Sequence, residues 1–437
     1  MIRQVLLVFF LFTTACLRAQ DGPDSLSQPA TLQQIVSYAL AHQPAIKEAG
    51  IEEQLTKYAI RSRLADWYPQ IGGRYSVQHL FHRSTSYING VASPVGVYNT
   101  SSAQLYLDQA IFNRDVLLAS RTKRDVRLRV SQATDIQKTD LSASVSKAFY
   151  DVLSTRQQIQ VATENIARLE KSLNDAYYRY QSGVADKTDY KRAQITLNNI
   201  TATKQINEAA LTAKMQNLKT LMGYPTFAPL VIVYDSLQME NEVAFDTLQQ
   251  PDFTRRIEYQ QLTTQRRLDE ANVVYQRNAF LPNISATFGY NMNYLNNSFG
   301  KLYSNNFPSS YVGLTAGIPI FQSGKRKLGV RYAQLQVAQT DWEIINLQNN
   351  INSEYASALS NYKGSLANYR ASKANVALAQ EVYDVIQLQY KAGLKTYLEV
   401  ITSEADLRTA QINYFNALYQ VLASKVDAER ALGLITY

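Results

Sequence analysis

Cysteine, histidine, proline and glycine are all scarce in this chain of 437 residues. Cys16 is the only cysteine, so no internal disulfide can form. Of the three histidines, His42 falls in a helical stretch. His79 and His82, three apart on a strand pattern, point to opposite faces, so no metal site is expected. No G-x-S-x-G, P-loop or G-x-G-x-x-G motif is present, and the paired carboxylates fall on helix faces or caps. Neither an enzyme nor a cofactor is expected. The net charge of +8 is scattered along helical stretches without a basic block, which argues against nucleic acid as a partner. Only 17 glycines and 11 prolines leave room for long uninterrupted helices.

Long hydrophobic runs are missing too. The longest, Val5 to Phe12, is shorter than the ~20 residues a membrane helix needs. With Arg3 before it and Leu17-Arg-Ala19 after it, residues 1–19 read as a secretory signal peptide. Cys16 either leaves with that signal or becomes a lipidated N-terminus. The missing leucine three residues before it favours removal.

What the chain has is repetition. Tyr180-Gln-Ser-Gly183 returns 210 residues later as Tyr390-Lys-Ala-Gly393. A heptad seam runs into each copy: Val145, Val152, Ile159, Ile166, Leu173, Tyr180 in the first, and Tyr355, Tyr362, Tyr369, Val376, Tyr383, Tyr390 in the second. Seven-residue repeats sustained this long specify coiled-coil packing. Gly183 and Gly393 suit the left-handed residue that ends a helix. Asp186-x-x-Asp189 resembles, and Thr396-x-x-Glu399 matches, a capping box that starts the next helix. The returning helices end alike, at Leu221-Met-Gly223 and Ala431-Leu-Gly433. Each copy is therefore the tip of an antiparallel helical hairpin.

Between the hairpins the period changes from helical to alternating. Strands are expected at 69–82, 101–112, 282–295 and 310–321, with Leu105, Leu107, Phe288 and Leu314 on an apolar face. Gln104 and Thr287 lie on the polar face. Residues 83–100 and 296–309 read as loops. The layout comprises repeat one at 31–223 (tip 181–189), an irregular linker at 224–250, and repeat two at 251–437 (tip 391–399). All of it is read as a single domain over 20–437. The fold class is mixed α/β, each repeat pairing two strands with long coiled-coil helices. An exported protein with four half-apolar strands must cover their apolar face. A barrel in an outer membrane does so, but four strands cannot close one, because about eight are needed. Several copies must each contribute a sector.

In these duplicated hairpins, tips and closing glycines the chain resembles the TolC-type outer-membrane efflux family over nearly its whole mature length. The resemblance implies a homotrimer with a twelve-stranded β-barrel and a periplasmic α-helical tunnel. It further implies service as an exit duct for an inner-membrane transporter joined by a periplasmic adaptor. Carried over residue by residue, the family's periplasmic gate maps onto Thr188, Asp189, Tyr390 and Lys395. An arginine is common at the last position, and lysine lacks its bidentate fork. Glu399 matches the first of the family's cation-filtering acids, and Thr402 replaces the second. Helix capping is an equally good reason for Asp189 and Glu399. A soluble exported coiled-coil scaffold is the alternative, and it leaves the four strands unexplained.

Overall fold

The computed structural model describes residues 28–233 and 236–435; the expected signal peptide and Cys16 lie outside them. Thr31 opens the first helix with a capping box, its Oγ1 accepting from the Gln34 N–H while Gln34 Oε1 accepts from the Thr31 N–H. Helices α1 (Leu32–His42) and α2 (Pro44–Ala65) are separated at Gln43, with Pro44 in the first-turn position where its missing N–H costs nothing. Strands β1 (Gln70–His79), β2 (Thr85–Ile88), β3 (Val91–Pro94) and β4 (Asn99–Phe112) precede the long α3 (Arg114–Gln181) and its return, α4 (Lys187–Met222). A short α5 (Ser236–Glu242) and α6 (Ile257–Arg277) lead to β5 (Asn283–Asn296) and β6 (Asn306–Gly317). The long α7 (Lys325–Lys391) and α8 (Tyr397–Leu432) complete the chain.

Two compact units are built from interleaved segments. The first comprises the described parts of Met1–Lys47, Lys138–Gln249 and Tyr355–Tyr437. Its core is the heptad seams: Val145, Val152, Leu169, Tyr362, Leu407 and Val421 are almost fully buried. Tyrosine in such a seam must satisfy its hydroxyl. Tyr362 does so by donating to the Val243 carbonyl at 2.8 Å, and Tyr355 by donating to that of Gln249. The linker thus lies against the seam, with Met239 and Val243 buried in the same core. Ile232 forms a parallel bridge to Ala30, with Ala30 N–H donating to the Val231 carbonyl at 2.9 Å. The α4 helix ends at Gly223 (φ 65°) hard against α1, where a Cβ would lie 2.8 Å from the His42 carbonyl oxygen. Only glycine fits there.

The second unit, Glu48–Gln137 with Gln250–Glu354, holds an antiparallel sheet in the order β1-β4-β5-β6. Register places Ile71, Leu107, Phe288 and Val312 in one transverse row and Gln70, Asp108, Thr287 and Gly313 in another, on opposite faces. The apolar face is bare: Ile71 is 71% exposed, Leu105 54% and Leu314 69%. A bulge between Ala110 and Phe112 interrupts the β4–β5 ladder near the start of α3.

Two readings need correction. The segment expected as a loop over 83–100 contains the β2–β3 hairpin. Its turn, Asn89 (φ 52°) and Gly90 (φ 80°), has positive φ at both central residues, the type I′ geometry that Asn-Gly prefers. The fourth strand occupies Asn306–Gly317 rather than 310–321. Pro319 offers no N–H to a ladder, and Ser323 (φ 46°) and Gly324 (φ 81°) turn the chain into α7.

Candidate functional site

Both tips use one device. Gly183 (φ 75°) donates its N–H to the Tyr180 carbonyl at 3.0 Å, and Val184 donates to that of Arg179 at 2.9 Å. Gly393 (φ 77°) and Leu394 repeat the pair on Tyr390 and Gln389 at 3.0 and 2.9 Å. These are Schellman closures, and they leave Val184 and Leu394 exposed at the two points.

The restarts differ. Thr396 and Glu399 form a full capping box. Glu399 Oε2 accepts from the Thr396 N–H at 2.9 Å and from its hydroxyl at 3.0 Å, while Oε1 accepts from Lys395 Nζ at 2.5 Å. The lysine contact and these caps lower the Glu399 carboxyl to about 2. Only half the device exists at the first tip: Asp186 accepts from the Thr188 N–H at 2.7 Å, which lowers its carboxyl. Thr188 is exposed, and Asp189 sits half-buried in the first turn of α4.

Within one chain the structure brings Asp189 toward Tyr390. Burial raises the Tyr390 hydroxyl foremost; the Arg179 guanidinium opposes that shift, and the charges of Asp189 and Asp175 add to it. Lys395, just ahead of the Thr396 N-cap, is engaged with Glu399 in the first turn of α8. Sequence reasoning missed three participants. Arg179 stands 4.6 Å over the Tyr390 ring, Tyr397 packs against that ring at 5.8 Å, and the Tyr397 hydroxyl meets Ser172 Oγ at 3.1 Å. Tyr390 and Tyr397 form, with Ala176 and Ala193, a small apolar cluster that joins the first hairpin to the second. Capping spacing exposes Glu399 in sequence, but nothing local marks Arg179.

Further along the hairpins a carboxyl is buried beside a partly exposed arginine. Glu404 is 2% exposed, and its Oε1 lies 3.9 Å from Arg168 Nε, too far for a hydrogen bond. Arg168 donates instead to Asn165 Oδ1 at 2.6 Å. Desolvation outweighs the pull of Arg168 and Arg408 and raises the Glu404 carboxyl to about 7.

The chain thus carries two strand hairpins with a bare apolar face and, in its other unit, duplicated coiled-coil hairpins that meet at their tips. The sequence profile described as "Outer membrane efflux protein" matches residues 35–224 and 255–434, and the chain belongs to that family. It is 21% identical to outer membrane protein TolC of Escherichia coli (strain K12) over 95% of this chain and 84% of that protein. Identity reaches 24% with the outer membrane efflux protein BepC of Brucella suis biovar 1 (strain 1330), over 95% and 87% of the two chains. The solved structure of CusC superposes with a TM-score of 0.74, covering 92% of this chain and 91% of that one at 19% identity. The protein is thus an outer-membrane efflux channel with a periplasmic helical portion. A soluble scaffold is not favoured. Among the described residues no helix is long and apolar enough to cross a membrane.

Proposed function

We propose that three copies of this chain close a twelve-stranded β-barrel whose apolar face meets outer-membrane lipid and whose helices continue as a periplasmic tunnel. The observation that carries this reading is the sheet's pair of open edges. Among the described residues β1 and β6 each pair on one side only, and unpaired strand edges invite another chain. The helix entering β1 carries an exposed stripe, Ile51, Leu55 and Tyr58. The helix leaving β6 carries another, Leu328, Tyr332, Leu335 and Trp342. Both follow the i, i+3/4, i+7 spacing of helix-packing faces. One edge and stripe of a copy meeting the other edge and stripe of the next makes a head-to-tail ring. Four strands from each of three copies exceed the closure minimum of about eight.

The duct passively conducts substrate delivered by an inner-membrane transporter through a periplasmic adaptor. Its gate is the ring of six tips, with Thr188, Asp189, Tyr390 and Lys395 holding it shut and Glu399 biasing it toward cations. A partly exposed Asp189–Lys395 pair between chains is worth only about 0–1 kcal/mol. Such a latch is weak enough for an adaptor to open, and threefold repetition makes it act as a unit. The test is single-channel recording in planar bilayers. Asp189→Ala with Lys395→Ala is expected to raise conductance at unchanged trimer yield, and Glu399→Gln to weaken cation selectivity. Wild-type conductance in the double variant would reduce Asp189 to a first-turn acid of α4 and Lys395 to its contact with Glu399.

A further inference from the structure

One transverse row of the sheet's polar face alternates glycine and tyrosine across all four strands: Gly72, Tyr106, Gly289, Tyr311. Each tyrosine lies over the glycine of the preceding strand. A Cβ built on Gly72 would sit 2.4 Å from Tyr106 Cζ, and one on Gly289 2.4 Å from Tyr311 Cε1. The absent side chains therefore let both rings lie down on the backbone, and they lean the same way. Gln104 Nε2 reaches the Tyr311 hydroxyl at 3.4 Å. A ring lying on glycine has one π-face covered by the backbone; Tyr311 remains 47% exposed and Tyr106, on an inner strand, is half-buried. The rows on either side are polar: Arg74, Gln104, Asn291, Ser309 on one side and Gln70, Asp108, Thr287 on the other. At about 4.8 Å per strand, the two rings stand roughly 10 Å apart along the row.

We infer that Tyr106 and Tyr311 form a stacking belt for planar aromatic solutes on the wall of the duct. The inference rests on the barrel reading above, which turns this face to the lumen and repeats the pair in each copy. Open aromatic faces attract flat aromatic rings by offset stacking, and cationic ones more strongly. Hydrogen-bonding rows at both borders accommodate the polar rim of such a solute. Covering the glycines alone would be met by rings of any orientation; an open face flush with a polar wall also offers a passing molecule a resting place.

The test compares two blockers of the wild-type trimer in planar bilayers: ethidium, a planar aromatic cation, and tetrabutylammonium, which has no ring. Tyr106→Leu with Tyr311→Leu keeps bulk over the glycines and removes the π-faces. Ethidium residence is expected to shorten about tenfold, equivalent to about 1.4 kcal/mol, and tetrabutylammonium block, which a ring face can hold only by cation–π attraction, by clearly less. Gly72→Ala with Gly289→Ala lifts the rings and should also shorten ethidium residence. Gly73→Ala, whose Cβ meets only the Gln104 carbonyl at 3.8 Å, should leave it unchanged. If the leucine pair fails to assemble, ethidium should slow nitration of Tyr106 and Tyr311 by tetranitromethane in the wild-type trimer. Unaltered ethidium residence in an assembled leucine pair, or unprotected tyrosines, overturns the belt and leaves the duct standing. A wild-type protein that forms no conducting pore overturns both.

Discussion

Replacing Glu404 with glutamine should flatten a pH dependence that the wild-type hairpins possess. The carboxyl is 2% exposed among Arg168, Arg408 and Tyr383, and among the described residues its Oε1 accepts no hydrogen bond. Burial raises it from 4.5 to about 7, so the folded hairpin prefers the protonated form. Between those two values the native state binds the proton and the unfolded state does not. Stability from this group is therefore complete below about 4.5 and is lost as pH rises through about 7. The separation of the two values corresponds to roughly 3 kcal/mol in full, most of which falls between pH 5 and pH 8. Burial raises the Glu429 carboxyl as well, so the informative quantity is the difference between wild type and Glu404→Gln. Amide hydrogen exchange over residues 161–173 and 397–411, corrected for intrinsic rates, reports the local opening free energy. The wild type should lose protection relative to the variant as pH rises from 5 to 8. A parallel pair of profiles would refute the reasoning and mean that water or Arg408 already satisfies the carboxylate.

Other expectations concern the sheet and the helix ends. Leu105→Arg or Phe288→Arg on the apolar face should cost roughly 2–4 kcal/mol at a barrel midplane and lower trimer yield, while Gln104→Arg or Thr287→Arg should assemble normally. Equal yields from both sets would invert the facing. Gly223→Ala combines positive φ with a Cβ 2.8 Å from the His42 carbonyl and should depress the thermal midpoint well beyond Gly183→Ala, whose added Cβ meets nothing within 4 Å. The latter should cost only about 1–2 kcal/mol for its left-handed backbone. Comparable midpoints would show that α1 yields to the added methyl.

Periodic features were legible because they are local. A heptad, an alternating strand or a glycine that closes a helix needs only its neighbours in sequence, and Val152, Leu407, Gly183 and the Thr396–Glu399 box are of that kind. The charged and aromatic contacts around the tips were not, since Arg179 and Tyr390, or Arg168 and Glu404, are brought together by two hairpins packing side by side. Within the linker, Met239 and Val243 look unremarkable until the seam they cover is present. The Lys395–Glu399 contact is an intermediate case: its i,i+4 spacing is visible in sequence, but capping and gating both explain it. For the β2–β3 hairpin, Asn89-Gly90 was the right signal, flanked by strands too short to alternate clearly.

The central claim is that one chain supplies only a third of a closed barrel. Native mass spectrometry of the protein extracted from outer membranes in mild detergent tests it most directly. A complex of three chains is expected, stable to dilution; a stable monomer or dimer would contradict it.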